Sequence, residues 1–119
     1  MTTTEGRQGG VLAEVSNSVV AILSECYGRG PTKAKSYLND NYLLTVTEDL
    51  FTTVEQTLVE RGDEELVRTM RLRFQEVVRK RFVEAVEEAT GRRVLTYHSQ
   101  VTFHPPMGFE IFVLEPKAG

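Results

Sequence analysis

The sequence predicts an α+β fold of two layers, an antiparallel four-stranded sheet with helices on one face. Three observations predict it. Apolar residues recur at helical spacing between Val11 and Cys26. Runs of β-branched and aromatic residues flank turn residues in two places, which indicates two hairpins. Between these hairpins lie two segments with helical start and stop signals, so the order is α-β-β-α-α-β-β.

The N-terminal half is predicted to form one helix and one hairpin. Residues 12, 15, 19, 22, 23 and 26 are apolar and share a helical face, and Gly28 follows where helices commonly end in a left-handed residue. Strands are expected over 32–38 and 42–47, because Asn39-Asp40-Asn41 between them favours a tight turn. Residues 1–10 are expected to be a disordered leader, because their Thr, Gly and Gln content favours disorder.

The C-terminal half is predicted to form two helices and a second hairpin. Thr52-Thr53-Val54-Glu55 has the pattern of a capping box, so a short helix should follow it. A long helix is expected over Asp63–Thr90, and its ~27 residues would span about 40 Å. The last two strands are expected over 93–103 and 108–114.

Composition indicates a single globular domain. The chain has 119 residues, 40% hydrophobic and 26% charged, and we expect one domain over 11–116 with a tail at 117–119. The net charge of -3 and pI near 5.4 argue against nucleic-acid binding. No apolar run approaches the roughly 18 residues of a membrane-spanning helix, so direct membrane insertion is not expected. The single cysteine and the lack of a signal-peptide pattern favour a cytoplasmic location.

Side chains capable of catalysis do not form a recognisable motif. His98 and His104 are six residues apart, and no further ligands follow at metal-binding spacing. Cys26 lies on the apolar stripe of the first helix and has no histidine near it in sequence. We therefore expect no enzymatic activity, no cofactor and no metal site.

Residues Tyr27–Lys35 combine glycine, proline and three cations at one helix-to-strand junction. Two interpretations are open. Backbone amides together with a guanidinium form anion sites in loops, so this segment is a candidate site. Glycine and proline also end helices and begin strands, which explains the segment without a ligand. The candidate binding residues of the loop are Arg29, Gly30, Thr32, Lys33 and Lys35.

One face of the sheet is predicted to be mixed and polar. Strand alternation places four candidate binding residues on it: Lys33, Lys35, His98 and Gln100. This face is either solvated, as one face of an antiparallel sheet commonly is, or it is a binding or dimer surface. Phe112 and Leu114 are expected on the same outer face, and their exposure would favour a homodimer.

The long helix is rich in cations: Arg68, Arg71, Arg73, Arg79, Lys80 and Arg81. Glutamates lie four residues from several of them, as Glu64 does before Arg68 and Glu84 after Lys80. This spacing favours a salt-bridged solvent face. A nucleic-acid interface would need the arginines to converge with the two that follow the helix, and the net acidity disfavours it.

Over about residues 11–116 the chain resembles the MpsC family, formerly a domain of unknown function. Five segments carry the resemblance: Tyr-Gly-Arg-Gly-Pro-Thr-Lys-Ala (27–34), Glu-Asp-Leu-Phe-Thr-Thr-Val-Glu-Gln-Thr-Leu (48–58), Glu-Ala-Thr-Gly-Arg-Arg-Val (88–94), Ser-Gln-Val (99–101) and Glu-Ile-Phe-Val-Leu-Glu-Pro (110–116). The family is named for a sodium-translocating, membrane-potential-generating system. Some members look like soluble companions of a membrane complex linked to cation movement and bicarbonate uptake.

The resemblance implies a non-enzymatic accessory or regulatory protein that binds a membrane transport complex and lies at the membrane only through that partner. It implies no catalytic or ligand residues. A second hypothesis comes from the residues themselves: a small-molecule sensor that binds an anion or nucleotide through the Tyr27–Lys35 loop and the polar sheet face.

Overall fold

The chain folds into three helices and four strands. The computed structural model describes residues 3–117, and side chains from residue 9 onward within that range. Its elements are α1 (Thr3–Tyr27), β1 (Lys33–Asn39), β2 (Tyr42–Glu48), α2 (Thr53–Glu60), α3 (Glu64–Thr90), β3 (Val94–Phe103) and β4 (Pro106–Leu114). This order and the four-stranded antiparallel sheet confirm the predicted fold class.

The strands lie in the order β1-β2-β4-β3, so each hairpin supplies one central strand and one edge strand. Asp40 closes the first hairpin with a φ of 56°, a left-handed conformation that aspartate adopts more readily than most residues. The central pairing of β2 with β4 joins the two hairpins, with Tyr42 opposite Val113 and Glu48 opposite Met107. Residues at alternate positions of each strand therefore share a face, except across the irregularity between Val94 and Thr96 in β3.

The helices pack on one face of the sheet, called here the inner face. The larger core cluster joins α1 and α3 to it, and Val19, Phe82 and Phe112 are each at most 1% exposed. Tyr97 stacks between two of these rings, at 5.8 Å from the centroid of Phe82 and 4.9 Å from that of Phe112. Each large side chain buried in this way stabilises the fold by about 1.5–3 kcal/mol.

A smaller cluster fastens α2 and the first turns of α3 to the sheet. Its buried members are Leu50, Phe51, Val67, Val101 and Phe103. The Phe51 and Phe103 rings stack with their centroids 5.4 Å apart. The end of the long helix that extends past α1 is thus covered by the short helix before it.

Helix α1 begins earlier than the sequence predicted. Residues 3–10, expected to be a disordered leader, continue the helix back to Thr3. A Cβ added at Gly9 or Gly10 would meet no atom of another element within 4 Å, so the structure is open at these two positions. Helix propagation explains it, because each residue added to an existing helix gains a hydrogen bond, although each glycine costs about 1 kcal/mol. Apolar periodicity detects only the packed face and therefore begins at Val11.

The prediction that Phe112 and Leu114 lie on the outer face is wrong, because both are fully buried on the inner face. The register places Phe112 opposite Tyr97, and paired residues share a face. Strand β4 carries apolar residues at both parities, so its pattern alone does not decide which side faces the helices. A homodimer stays a prediction, but these two residues do not support it.

The predicted salt-bridged face of α3 is formed in part. Lys80 Nζ lies 3.7 Å from Glu84 Oε1, as the spacing indicates. Arg68 pairs instead with Glu65, three residues before it. Arg71 departs from the prediction entirely, because it is 1% exposed and belongs to the core.

Candidate functional site

The face of the sheet opposite the helices is called here the outer sheet face. The registers of the three pairings arrange its side chains in four rows across the strands: Lys33, Glu48, Met107 and Thr102; Lys35, Val46, Phe109 and Gln100; Tyr37, Leu44, Ile111 and His98; Asn39, Tyr42, Val113 and Thr96. The core clusters that join the described helices to the sheet contain none of these side chains.

The two central strands make the middle of the outer sheet face apolar. Leu44, Val46, Phe109, Ile111 and Val113 form a continuous band across β2 and β4, called here the apolar band. Ile111 is 37% exposed, and Tyr37 and Tyr42 beside the band are 49% and 59% exposed. Contiguous apolar surface of this kind marks interaction sites more often than scattered apolar residues do.

Polar side chains flank the band at both edges. Lys33 and Lys35 lie on edge strand β1, while His98 and Gln100 lie on edge strand β3. Two strands separate these edges, a distance of about 14 Å at the usual strand spacing. The four residues thus share a face, as alternation predicted, but they do not converge on one ligand-sized site.

In the loop before β1, three of the predicted site residues contact the rest of the fold. The Arg29 guanidinium donates to the Phe51 carbonyl and, at 3.0 Å, to Asp49 Oδ2. Gly30 is pressed against α1, because an added Cβ would lie 2.0 Å from Ser24 Oγ. The Thr32 amide donates to the Glu48 carbonyl at 3.2 Å. These contacts give the loop a structural role, and anion binding by it stays a prediction.

Arg29→Ala is expected to lower the free energy of unfolding by about 1–2 kcal/mol, because it removes a part-buried hydrogen bond and an exposed ion pair. Urea denaturation would measure it, with Arg93→Ala as the exposed control. Unchanged stability together with weaker binding of inorganic phosphate would contradict the structural role and support the anion site.

A row of polar side chains also crosses the inner face. In register order it contains Ser36, Thr45, Glu110 and Ser99, each at most 7% exposed. Ser36 Oγ lies 2.7 Å from Thr45 Oγ1, and Ser99 Oγ donates to Glu110 Oε2 at 3.0 Å. Ser16 Oγ of α1 lies 2.8 Å from Ser36 Oγ and joins the row to the helix layer. A carboxyl group is thereby held deep in the core among hydroxyl groups.

Burial raises the pKa of Glu110 to about 7, although hydrogen bonds from Tyr97 and Ser99 and the charge of Arg71 act in the opposite direction. Burial, followed by the charge of Glu110, also raises the pKa of Tyr97. The Tyr97 hydroxyl donates to Glu110 Oε1 and lies 3.1 Å from Gln75 Oε1. The sequence analysis did not single out Glu110 as a buried carboxyl group. The pattern that could have indicated it is a lone carboxylate within an otherwise apolar strand.

Arg71 and Glu55 form a buried ion pair, in which each side chain is only 1% exposed. Arg71 Nε donates to Glu55 Oε2 at 2.7 Å, and its Nη2 donates to Glu55 Oε1 at 2.6 Å and to the Leu50 carbonyl at 3.1 Å. Burial by itself would raise the pKa of Glu55, but hydrogen bonds from Arg71 and Thr52 outweigh it and the pKa is lowered. This pair holds α2 on α3.

Helix α3 and edge strand β3 border a cleft of about 440 Å³. Arg73, Arg79 and His98 line it, and so does Glu76, which lies between the two arginines along the helix. Arg79 Nη1 is already used, since it donates to the Tyr97 carbonyl at 3.2 Å. The charge of the cleft is therefore mixed and does not indicate an anion site.

The described part of the chain offers little for metal or membrane chemistry. Within residues 3–117, no group of three or more His, Cys, Asp or Glu side chains is placed to hold a metal ion. Over the same residues, no helix has both the length and the apolar composition needed to cross a bilayer.

Comparison with known protein families supplies the context that the geometry lacks. The family model described as "Na+-translocating membrane potential-generating system (MpsC)" matches residues 7–116. The chain belongs to the MpsC family. A search of curated proteins and a search of solved structures each gave no match.

In this MpsC-family chain, the segments that carried the resemblance contact one another. Arg29, in segment 27–34, binds Asp49 and the Phe51 carbonyl, both in segment 48–58. Arg92 Nε, in segment 88–94, donates to the Glu115 carbonyl of segment 110–116 at 3.0 Å. These residues of the resembling segments thus close junctions of the fold, and the outer sheet face lies mostly outside the five segments.

Proposed function

We propose that this chain is a non-enzymatic cytoplasmic accessory or regulatory protein of a membrane cation or bicarbonate transport system. Membership of the MpsC family supports a connection with such a system, because the family is described by Na+ translocation and membrane potential. The chain acts by protein–protein contact, since its described helices do not offer a route for ions across a bilayer.

The observation that carries the proposal is the cationic edge of the outer sheet face. Arg29, Arg68, Lys80 and Arg81 each pair with a carboxylate. Lys33 and Lys35, both exposed on edge strand β1, have no carboxylate within ion-pair distance among the described residues, and Glu48 is the cross-strand neighbour of Lys33. Lys35 Nζ lies 5.4 Å from the centroid of the Tyr37 ring. Lysines that form no ion pair at a sheet edge favour contact with an acidic segment of a partner, and such contacts speed encounter and depend on salt.

Lys33→Glu combined with Lys35→Glu is expected to reduce co-purification with membrane transporter subunits by about tenfold at low salt, because it reverses the charge of the contact edge. The measurement is affinity capture from detergent-solubilised membranes at low and high salt. Arg61→Glu combined with Lys80→Glu is the matched control, since it reverses two exposed cations away from the outer sheet face.

The proposal also requires a transport phenotype. Cells that lack the gene should grow poorly at low inorganic carbon or show a changed membrane potential. Unchanged uptake and potential, with capture of soluble proteins or nucleic acid alone, would reject the accessory function. The small-molecule sensor would then become the better hypothesis.

A further inference from the structure

We infer that the outer sheet face is the interface of a homodimer, in which β1 of each copy lies over β3 of the other. The inference starts from the apolar band, which occupies the centre of a face that the described core clusters leave uncovered. It rests on residues other than the two lysines assigned to the proposed transport partner, and those lysines lie at the rim of the same face.

The size of the face suits a second copy. Four strands at about 4.8 Å spacing and seven residues at about 3.4 Å rise give a flat area of roughly 450 Å² on each copy. Side chains make the accessible area larger than the flat one, so pairing would bury about 1,000 Å² in total, the size at which specific interfaces begin. Two sheets that pack face to face in this way lie about 10 Å apart.

The order of the strands makes this face self-complementary. A two-fold axis that runs parallel to the strands, between β2 and β4, places β2 over the partner's β4 and β1 over the partner's β3. Each row of one copy then lies over the same row of the other copy, with the four strands in the opposite order. Leu44 lies over Ile111 of the partner subunit, and Val46 lies over Phe109 of the partner subunit. The apolar band is covered by an apolar band.

The polar edges select this axis over the alternative. The same two-fold places Lys35 over Gln100 of the partner subunit and Lys33 over Thr102 of the partner subunit, so each lysine meets an uncharged polar group. A two-fold axis perpendicular to the strands, in the plane between the sheets, would instead place β1 of one copy over β1 of the other. The lysines of both copies would then lie along the same pair of strands. Like charges brought together in this way oppose association.

The first test is the mass in solution with one substitution at the centre of the band. The wild-type chain is expected to have twice its 13.4 kDa mass by sedimentation or light scattering at tens of micromolar. Ile111→Glu should raise the dimer dissociation constant by about a hundredfold, because the two-fold buries the new charge of both copies at once. Val77→Glu is the matched control, since Val77 is a 77% exposed apolar residue on α3 and lies outside the interface. Circular dichroism would show that each variant is folded.

The second test addresses the register and does not touch an apolar residue. Gln100 is exposed, so its substitution leaves the core intact. Gln100→Glu should tighten the dimer about fivefold at low salt, and Gln100→Lys should weaken it about fivefold, because Lys35 of the other copy lies opposite. Opposite changes that vanish in high salt support the proposed axis. Equal effects of both substitutions would overturn it.

A monomeric mass for the wild-type chain, or a folded Ile111→Glu variant that stays dimeric, would overturn the interface altogether. These outcomes are separate from those of the transport proposal. A monomer that still captures membrane subunits refutes the dimer and leaves the accessory function standing. A dimer that captures no membrane subunits refutes the accessory function and leaves the dimer standing.

Discussion

Arg71→Met is expected to lower the free energy of unfolding by about 3–5 kcal/mol, because it leaves the Glu55 carboxylate buried without a partner. Methionine keeps most of the aliphatic length, so the loss reflects charge more than volume. The arginine also stacks on Tyr27, with its guanidinium 3.9 Å from the ring centroid. Urea denaturation at neutral pH, followed by circular dichroism, would measure the change.

Two controls separate the buried charge from the other contacts of Arg71. Arg68→Met removes an arginine three residues earlier on the same helix, whose ion pair with Glu65 is exposed, and should cost less than about 1 kcal/mol. Arg71→Met combined with Glu55→Gln should recover much of the loss, since the amide is neutral and can still accept from the Thr52 amide. A double variant no more stable than Arg71→Met alone would contradict this explanation.

The sequence predicted one half of this buried pair. The capping box is confirmed: Thr52 Oγ1 accepts from the Glu55 amide at 3.2 Å, and Glu55 Oε1 accepts from the Thr52 amide at 2.9 Å. That pattern is local and has a fixed spacing, so it is visible in a sequence. The partnership of Glu55 with Arg71, sixteen residues away, depends on how α2 folds back on α3. Arg71 was therefore grouped with the solvent-facing cations of the long helix.

For the candidate binding residues too, the sequence predicted the local pattern and not the arrangement that depends on the fold. Alternation along each strand placed Lys33, Lys35, His98 and Gln100 on one face, and the registers agree. Alternation does not give the order of strands in the sheet. The order β1-β2-β4-β3 separates the lysines from His98 and Gln100 by the apolar band, so these residues lie at opposite edges of the face, and their role in binding stays a prediction.

The apolar band itself was missed because β4 is apolar on both sides. Phe109, Ile111 and Val113 alternate with Phe112 and Leu114, and Glu110 shares the parity of the buried pair. A carboxylate within a strand ordinarily indicates the solvent side, since charged groups are seldom buried without compensation. Inside the fold, Glu110 accepts hydrogen bonds from Tyr97 and Ser99, both on β3. The position of the carboxylate thus depends on a strand pairing that sequence patterns do not specify.

That buried carboxyl group makes the stability of the fold depend on pH. The pKa of Glu110 rises from an ordinary value of 4.5 to about 7 on folding, so the folded chain holds the proton more tightly than the unfolded chain does. Its contribution to stability is complete below pH 4.5 and is lost as the pH rises to about 7. The interval of about 2.5 pH units corresponds to about 3 kcal/mol. Wild-type stability should therefore fall between pH 5 and pH 7 and then level off.

Glu110→Gln is expected to abolish this fall, because the amide has nearly the shape of the carboxylic acid and stays neutral throughout. The variant should match the wild type near pH 4.5 and exceed it by about 3 kcal/mol at pH 8. Urea denaturation at half-unit steps from pH 4.5 to pH 8 would measure the difference, and Glu14→Gln, at an exposed position of α1, is the matched control. Taking the difference from the wild type removes the contribution of Glu55, whose lowered pKa acts on stability at more acid pH. Parallel pH profiles for wild type and Glu110→Gln would show that the carboxyl group does not hold its proton in the fold. Profiles that meet near pH 4.5 and diverge towards pH 8 would identify Glu110 as the titrating group, at the centre of β4 between Phe109 and Ile111 of the apolar band.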